Sequence, residues 1–340
     1  MDFRKMRLPE IAGDVRAGRM SAREVVSSAL ERVEELNPRL NAFVAVDGEG
    51  ALDAARRIDD SVAAGRDPGP LAGIPIGVKD LEDAAGFVTS QGSAIFSGRA
   101  VAARDSQLVA RLKAAGCVVI GKTNTPELGW KADTDNVTFG RTLNPWDERH
   151  IAGGSSGGTA SAIASGMIPL GTGSDGGGSV RIPSSCCGIS GVKPSLGRVP
   201  IGGSEPPGWP LLSTKAPMAR TIADVVSALD VVVGPDPTDI SSLPRPEASW
   251  PAALDMAKLP SRVAWSPTLG YAPVDSEVRA LCERALEHLE SLGTEVVEVE
   301  TVFDEDPISD WLNLTLAYNL RTLAPHQGTA VWDKVDPLLA

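Results

Sequence analysis

Two glycine- and serine-rich runs, set around a short apolar stretch, constrain this chain more than any other feature. The first is Gly153-Gly154-Ser155-Ser156-Gly157-Gly158. The second is Ser174-Asp175-Gly176-Gly177-Gly178-Ser179-Val180-Arg181-Ile182-Pro183. Such runs are flexible linkers when they stand alone. Here they enclose a small-residue segment, 157–166, and the apolar Met167 to Leu170, so they read as loops inside a fold. The small residues suit a helix pressed closely against its neighbours. Three glycines directly before Ser179 can take φ values closed to other residues. Successive N–H groups can then converge on one point as an anion-binding nest. A serine at the end of such a nest is placed to attack a carbonyl whose oxygen sits in it.

The rest of the chain alternates helix and strand patterns. Ser21-Ala22-Arg23-Glu24 is a capping box, and Val26, Ala29, Leu30, Val33 and Leu36 follow as one helical stripe, which Asn37-Pro38 is expected to end. Asn41 to Val46 reads as a strand, Glu49 to Ala63 as a helix, and Ile74 to Asp80 as a buried strand ending on charge. A helix is expected from about Ser106 to Ala115, a strand at Cys117 to Ile120, and a further strand at Met167 to Leu170. Downstream, Thr221 to Leu229 reads as a helix, with Val231 to Val233 continuing it or forming a strand. The stretch 235–260 reads as a long surface loop or insertion. Strand Val263 to Trp265, helix Asp275 to Leu292 and strand Thr294 to Val299 complete the pattern. This order implies an α/β fold with a mixed, mostly parallel twisted sheet flanked by helices.

Two motif matches fail on context. Gly116-Cys117-Val118-Val119-Ile120-Gly121-Lys122-Thr123 fits a phosphate-binding loop, but its middle residues are apolar and make the strand itself. Gly171-Thr172-Gly173-Ser174-Asp175-Gly176 fits a dinucleotide fingerprint. The acidic residue expected roughly 20 positions later is missing, since no Asp or Glu lies between Asp175 and Glu205.

A chain of 340 residues is long enough to bury a core without disulfides or metal. With a net charge of −12 and no basic cluster, direct nucleic-acid contact is not expected. The four cysteines form no C-x-x-C pair, and read as free thiols of a reducing, cytoplasmic protein. No stretch reaches the roughly 18 apolar residues of a membrane span, and Met1 to Pro9 does not read as a signal peptide. No metal or organic cofactor is implied. Among the histidines, His288 and His326 stand apart from the glycine-rich loops. His150 lies near them, but no G-x-S-x-G elbow supports a Ser-His-Asp triad.

With these runs in view, the chain resembles the amidase signature family. The resemblance is carried by Gly153 to Ser184 over its whole length. It is carried too by Ile74-Pro75-Ile76-Gly77-Val78-Lys79-Asp80, by Asn144-Pro145-Trp146 and by Gly191 to Val199. It is strong over a catalytic core of about 71–235 within a single domain, 1–340. The resemblance implies that Ser179 is the nucleophile forming an acyl-enzyme. It implies further that Ser155, which in the family usually follows a cis peptide bond, relays the proton, and that Lys79 is the base. Gly176, Gly177, Gly178 and the Ser179 N–H fall on the oxyanion loop, and Gly129 on the acyl pocket. Asp175 and Arg181 read as braces of that loop. Ala152, where many relatives carry proline, and Ser184-Ser185 are minor departures. Relatives generally continue past residue 340, so the chain resembles a truncated member.

Three functions compete. The first is a hydrolase of small carboxamides; the second, the amidase subunit of a glutamine-dependent tRNA amidotransferase; the third, an inactive scaffold. Thr123-Asn124-Thr125-Pro126-Glu127-Leu128-Gly129 favours the first. Oligomeric state is not readable from the sequence, which is compatible with a homodimer. Trp130, Trp209 and the stretch 200–210 are weaker candidates for the pocket wall.

Overall fold

The computed structural model describes residues 1–202, 209 and 211–340. The chain divides into two compact units, Met1–Ala252 with Asn319–Ala340, and Ala253–Tyr318.

In the first unit, helices α1 (Leu8–Arg16) and α2 (Ala22–Leu40) precede β1 (Phe43–Val46), α3 (Gly48–Ala63) and β2 (Pro75–Lys79). Then come α4 (Gln107–Ala114), β3 (Val118–Thr123), α5 (Gly157–Ala164), β4 (Leu170–Asp175) and α6 (Arg181–Cys187). Strands β5 (Ser190–Gly191) and β6 (Thr214–Ala219) and helix α7 (Ile222–Val232) follow. Six strands form one sheet in the order β1-β3-β2-β4-β6-β5. Its centre, β3-β2-β4, is parallel, and its flanks are antiparallel. The mixed α/β architecture expected from the sequence is therefore present. Ile74, Ile76, Val78, Val118, Ile120 and Leu170 are fully buried, which is why these strands read as apolar runs and not as alternation.

The stretch 235–260 is not loop throughout: it contains the short helix α8 (Trp250–Asp255). The second unit has β7 (Arg262–Trp265), α9 (Ser276–Ser291) and β8 (Glu295–Glu298), with β7 and β8 paired in parallel. Helix α10 (Ile308–Leu323) follows.

Several local expectations need correction. Helix α2 does not stop at Pro38 but runs to Leu40. A proline there forfeits one ladder bond in the last turn only. Fully buried Leu40 and the Asn37 side chain, bonded to both N and O of Phe43 (2.7 and 3.0 Å), hold that turn. The strand placed on Met167 to Leu170 instead begins at Leu170 and occupies the glycine-rich Leu170–Asp175. Close packing explains this. A Cβ on Gly171 would sit 2.6 Å from Thr159 Cγ2, and one on Gly173 2.6 Å from Met218 Sδ. Val231 continues helix α7, which ends at Val232. The rejected phosphate-loop residues 118–123 are strand β3, and residues 171–175 of the rejected fingerprint are strand β4.

Candidate active site

Strand β2 ends on Lys79, at the edge of the parallel centre. Its backbone N–H is fixed by Thr172 Oγ1 of β4 (2.9 Å). The side chain is wholly buried. Its Nζ lies 2.8 Å from Ser155 Oγ and 3.0 Å from Ser174 Oγ. Among the described residues it has no carboxylate partner. Asp80, its neighbour in sequence, pairs with buried Lys122 of β3 at 3.3 Å and accepts from Ser90. Burial first, and then the charge of Lys215, drive the Lys79 ammonium well below the ordinary lysine range, while Asp175 pulls the other way.

Ser155 follows the cis Gly154–Ser155 peptide bond and stands just before α5. Its neighbour Ser156 is the residue flanking that helix, so Ser155 is not the cap. The Ser156 N–H donates to Ser179 O (3.2 Å), tying the two serine loops together. Gly129 (φ +70°) crowds this point: a Cβ there would lie 2.7 Å from Leu81 Cδ1 and 3.1 Å from Ser155 Oγ. Only glycine leaves Ser155 its room.

Ser179 stands between β4 and α6 and keeps 9% exposure, unlike the sealed Lys79. The loop before it is held by Asp175. That carboxylate accepts from Gly178 N (2.7 Å) and Val180 N (3.2 Å), and takes two bonds of 2.9 Å from the Arg181 guanidinium. Burial raises its carboxyl, but Arg181 and the two amides outweigh burial and hold it below the usual range. The Gly178 N–H is thus spent on the brace, and its φ of +124° is open to glycine alone. Among the described residues, the N–H groups of Gly177 and Ser179 have no protein acceptor. Gly176 has no space for a side chain, since a Cβ would meet Trp209 Cε3 at 2.7 Å.

The Asn144-Pro145-Trp146 segment clamps α6 from outside. Asn144 Nδ2 donates to Ile151 O and Cys186 O (2.9 and 2.8 Å), and Trp146 Nε1 to Cys187 O (2.7 Å). Trp130 bonds Asp336 (3.3 Å), and Trp209 is buried against Asn319 (3.1 Å). The rest of the proline-rich stretch, 203–208 and 210, lies outside the described residues. His150 is exposed beside Asp147 at 3.8 Å. The structure thus brings Lys79, Ser155, Gly129 and the 176–179 loop to one place. Sequence reading missed Ser174 as a second hydroxyl on Lys79, and Lys215 opposite it. Ser174 lies in the glycine- and serine-rich run that the sequence singles out, but nothing local marks Lys215.

A family profile described as Amidase matches residues 24–322. An acylamidase of Rhodococcus erythropolis is 40% identical over 304 residues, covering 89% of this chain and 63% of that protein. A glutamyl-tRNA(Gln) amidotransferase subunit of Salinispora arenicola (strain CNS-205) is 40% identical over 308 residues, covering 88% and 61%. The chain therefore spans less than two thirds of the length of these two relatives. The solved structure of a bacterial aryl acylamidase of the amidase signature enzymes superposes with a TM-score of 0.91 at 29% identity, covering 98% of this chain and 71% of that one.

Proposed function

This chain belongs to the amidase signature family, and on that premise we propose that it hydrolyses the carbon–nitrogen bond of a carboxamide through a Ser179 acyl-enzyme. One observation carries the reading: a fully buried lysine lies 2.8 Å from Ser155 Oγ and, among the described residues, no carboxylate pairs it. An unpaired buried ammonium costs several kcal/mol, roughly, which favours the neutral amine of Lys79, the form a base requires. Ser155 passes its proton to Lys79 as it takes the proton of Ser179 Oγ. That oxygen attacks the amide carbon, and the oxyanion meets the N–H groups of Gly177 and Ser179. Gly176 and Gly178 supply the turn that aims those donors, and Gly129 lines the acyl side. The relay then runs backwards to protonate the leaving amine, and water releases the acid.

We assign the catalytic core to residues 71–235 and the substrate to small-molecule amides. The four unpaired cysteines support a reducing compartment, the cytoplasm. No helix among the described residues is long and apolar enough to cross a membrane. The 40% identity with the Salinispora protein favours a second reading, in which the same relay frees ammonia for a partner. A panel of primary and aryl amides, followed by ammonia and amine release, tests the hydrolase. Turnover lost in both Ser179→Ala and Lys79→Met is expected. Turnover surviving Ser179→Ala refutes it. Ammonia release that appears only with a copurifying partner decides for the second reading.

A further inference from the structure

A clasp on the Gly129 turn has no part in the relay. The turn runs from Glu127 to Lys131, and Leu128 and Gly129 both sit at positive φ, +53° and +70°. A branched residue stays in that left-handed region only where its surroundings hold it. Part of the hold comes from the loop that follows Lys79. The Leu128 N–H donates to Gln91 O (2.8 Å), and the buried Glu127 carboxylate accepts from Ser93 Oγ. The rest comes from Asp336, which lies in the same compact unit and is buried. Its N–H donates to the second Glu127 oxygen (2.6 Å). Its carboxylate accepts from Lys131 Nζ (2.7 Å) and Trp130 Nε1 (3.3 Å), and is itself steadied by the Leu338 N–H (3.0 Å).

Asp336 thus grips the residues on both sides of the left-handed pair, Glu127 before it and Trp130 and Lys131 after it. The Lys131 bond is charge-assisted, the stronger kind. What the turn presents to the site is Gly129. A Cβ there would lie 3.1 Å from Ser155 Oγ, so the turn has little room to shift before it meets the relay serine. We propose that Asp336 is a positioning residue of the amidase reaction. By holding Glu127, Trp130 and Lys131 it fixes the Gly129 backbone, and with it the seat of Ser155 Oγ, 2.8 Å from Lys79 Nζ. This inference rests on Ser155 being the relay. It adds to the site a residue 205 positions beyond Lys131.

The test uses the full chain with Asp336→Ala, Asp336→Asn and Lys131→Met. The asparagine keeps one acceptor oxygen, and Lys131→Met opens the clasp from its partly exposed end, so both serve if the alanine variant fails to fold. Fluorophosphonate labelling of Ser179 over a range of probe concentrations separates the maximal rate from the apparent Kd of the probe. Hydrogen exchange at the Gly129 and Trp130 amides runs alongside, with the amides of β3 as reference. In Asp336→Ala the maximal rate should fall about tenfold, toward the 10²-fold that a displacement of about 1 Å can cost, while the apparent Kd holds. Asp336→Asn should recover part of that loss, and Lys131→Met should show a smaller fall. The two turn amides should exchange about tenfold faster, with β3 unmoved. A merely structural role would lower the folded, labelled fraction and speed exchange in β3, leaving the maximal rate of the folded molecules intact. Folded variants that keep the wild-type maximal rate overturn the proposal, even where the turn amides loosen. A wild type that takes no adduct refutes the hydrolase, and the positioning role falls with it.

Discussion

Asp175→Ala separates bracing from chemistry. The wild-type carboxylate satisfies the Gly178 and Val180 N–H groups (2.7 and 3.2 Å) and is fully buried. Each amide left without an acceptor costs about 1–3 kcal/mol. The Arg181 side chain is 56% exposed, so water replaces its partner at a cost below about 1 kcal/mol. The expected loss of stability is about 2–7 kcal/mol. The loop released is the one that aims the Gly177 and Ser179 N–H groups. Loss of that aim should slow the reaction about 10²–10³-fold, the range for an oxyanion donor. Asp175→Asn keeps one acceptor oxygen and should fall between. The assay is the fluorophosphonate labelling rate of Ser179, with hydrogen exchange at the Gly178 and Val180 amides and a urea midpoint alongside. An alanine variant that labels at the wild-type rate, with those amides still protected, would refute the reasoning. The charge also sets an acid limit. Because the folded carboxyl is held below its ordinary 3.8, its contribution is present above that pH and fades as pH falls further.

Other outcomes follow from the same geometry. Gly158→Ala puts a Cβ 2.3 Å from Asn124 N and 2.6 Å from Ala42 O, both backbone, and should cost about 3 kcal/mol in a denaturant titration. Gly129→Ala combines φ +70° with a contact at Ser155 Oγ; it should lower labelling about 10²-fold while costing only about 1–3 kcal/mol of stability. Lys79→Met should abolish labelling yet raise the urea midpoint at pH 7. The depressed lysine leaves the unfolded chain binding the extra proton, so the penalty relieved is present at neutral pH and vanishes above the unfolded value of 10.5. Lys122→Met, which strands the buried Asp80, should destabilise by about 3–5 kcal/mol, with partial recovery on adding Asp80→Asn.

How far the sequence carried differs by element. Lys79, Ser155 and Ser179 could be singled out as candidates because each sits in a run that carries the family resemblance, and the 153–191 segment announced loops inside a fold. The helices with plain caps were legible too: Ser21, Asp47 and Ser106 each accept an N–H at the start of α2, α3 and α4. Strand β4 was misplaced because its sequence, LGTGSD, carries little strand propensity; it is a strand because α5 packs against its glycines. Strand β6 was missed because Pro217 interrupts it. That proline is tolerated opposite Thr172, beyond the two residues that β5 pairs. Helix α6 was hidden by Pro183 and by a serine–cysteine sequence without an apolar stripe. The Lys215–Glu82 pair joins residues 133 positions apart, and only the sheet order brings it to Lys79.

Intact-mass analysis of fluorophosphonate labelling tests the central claim most directly, with wild type compared against Ser179→Ala and Lys79→Met. A single adduct on wild type, mapped to Ser179 and absent from both variants, is the predicted result. A folded wild type that takes no adduct, or an adduct that persists in Ser179→Ala, would contradict the assignment of Ser179 as the nucleophile.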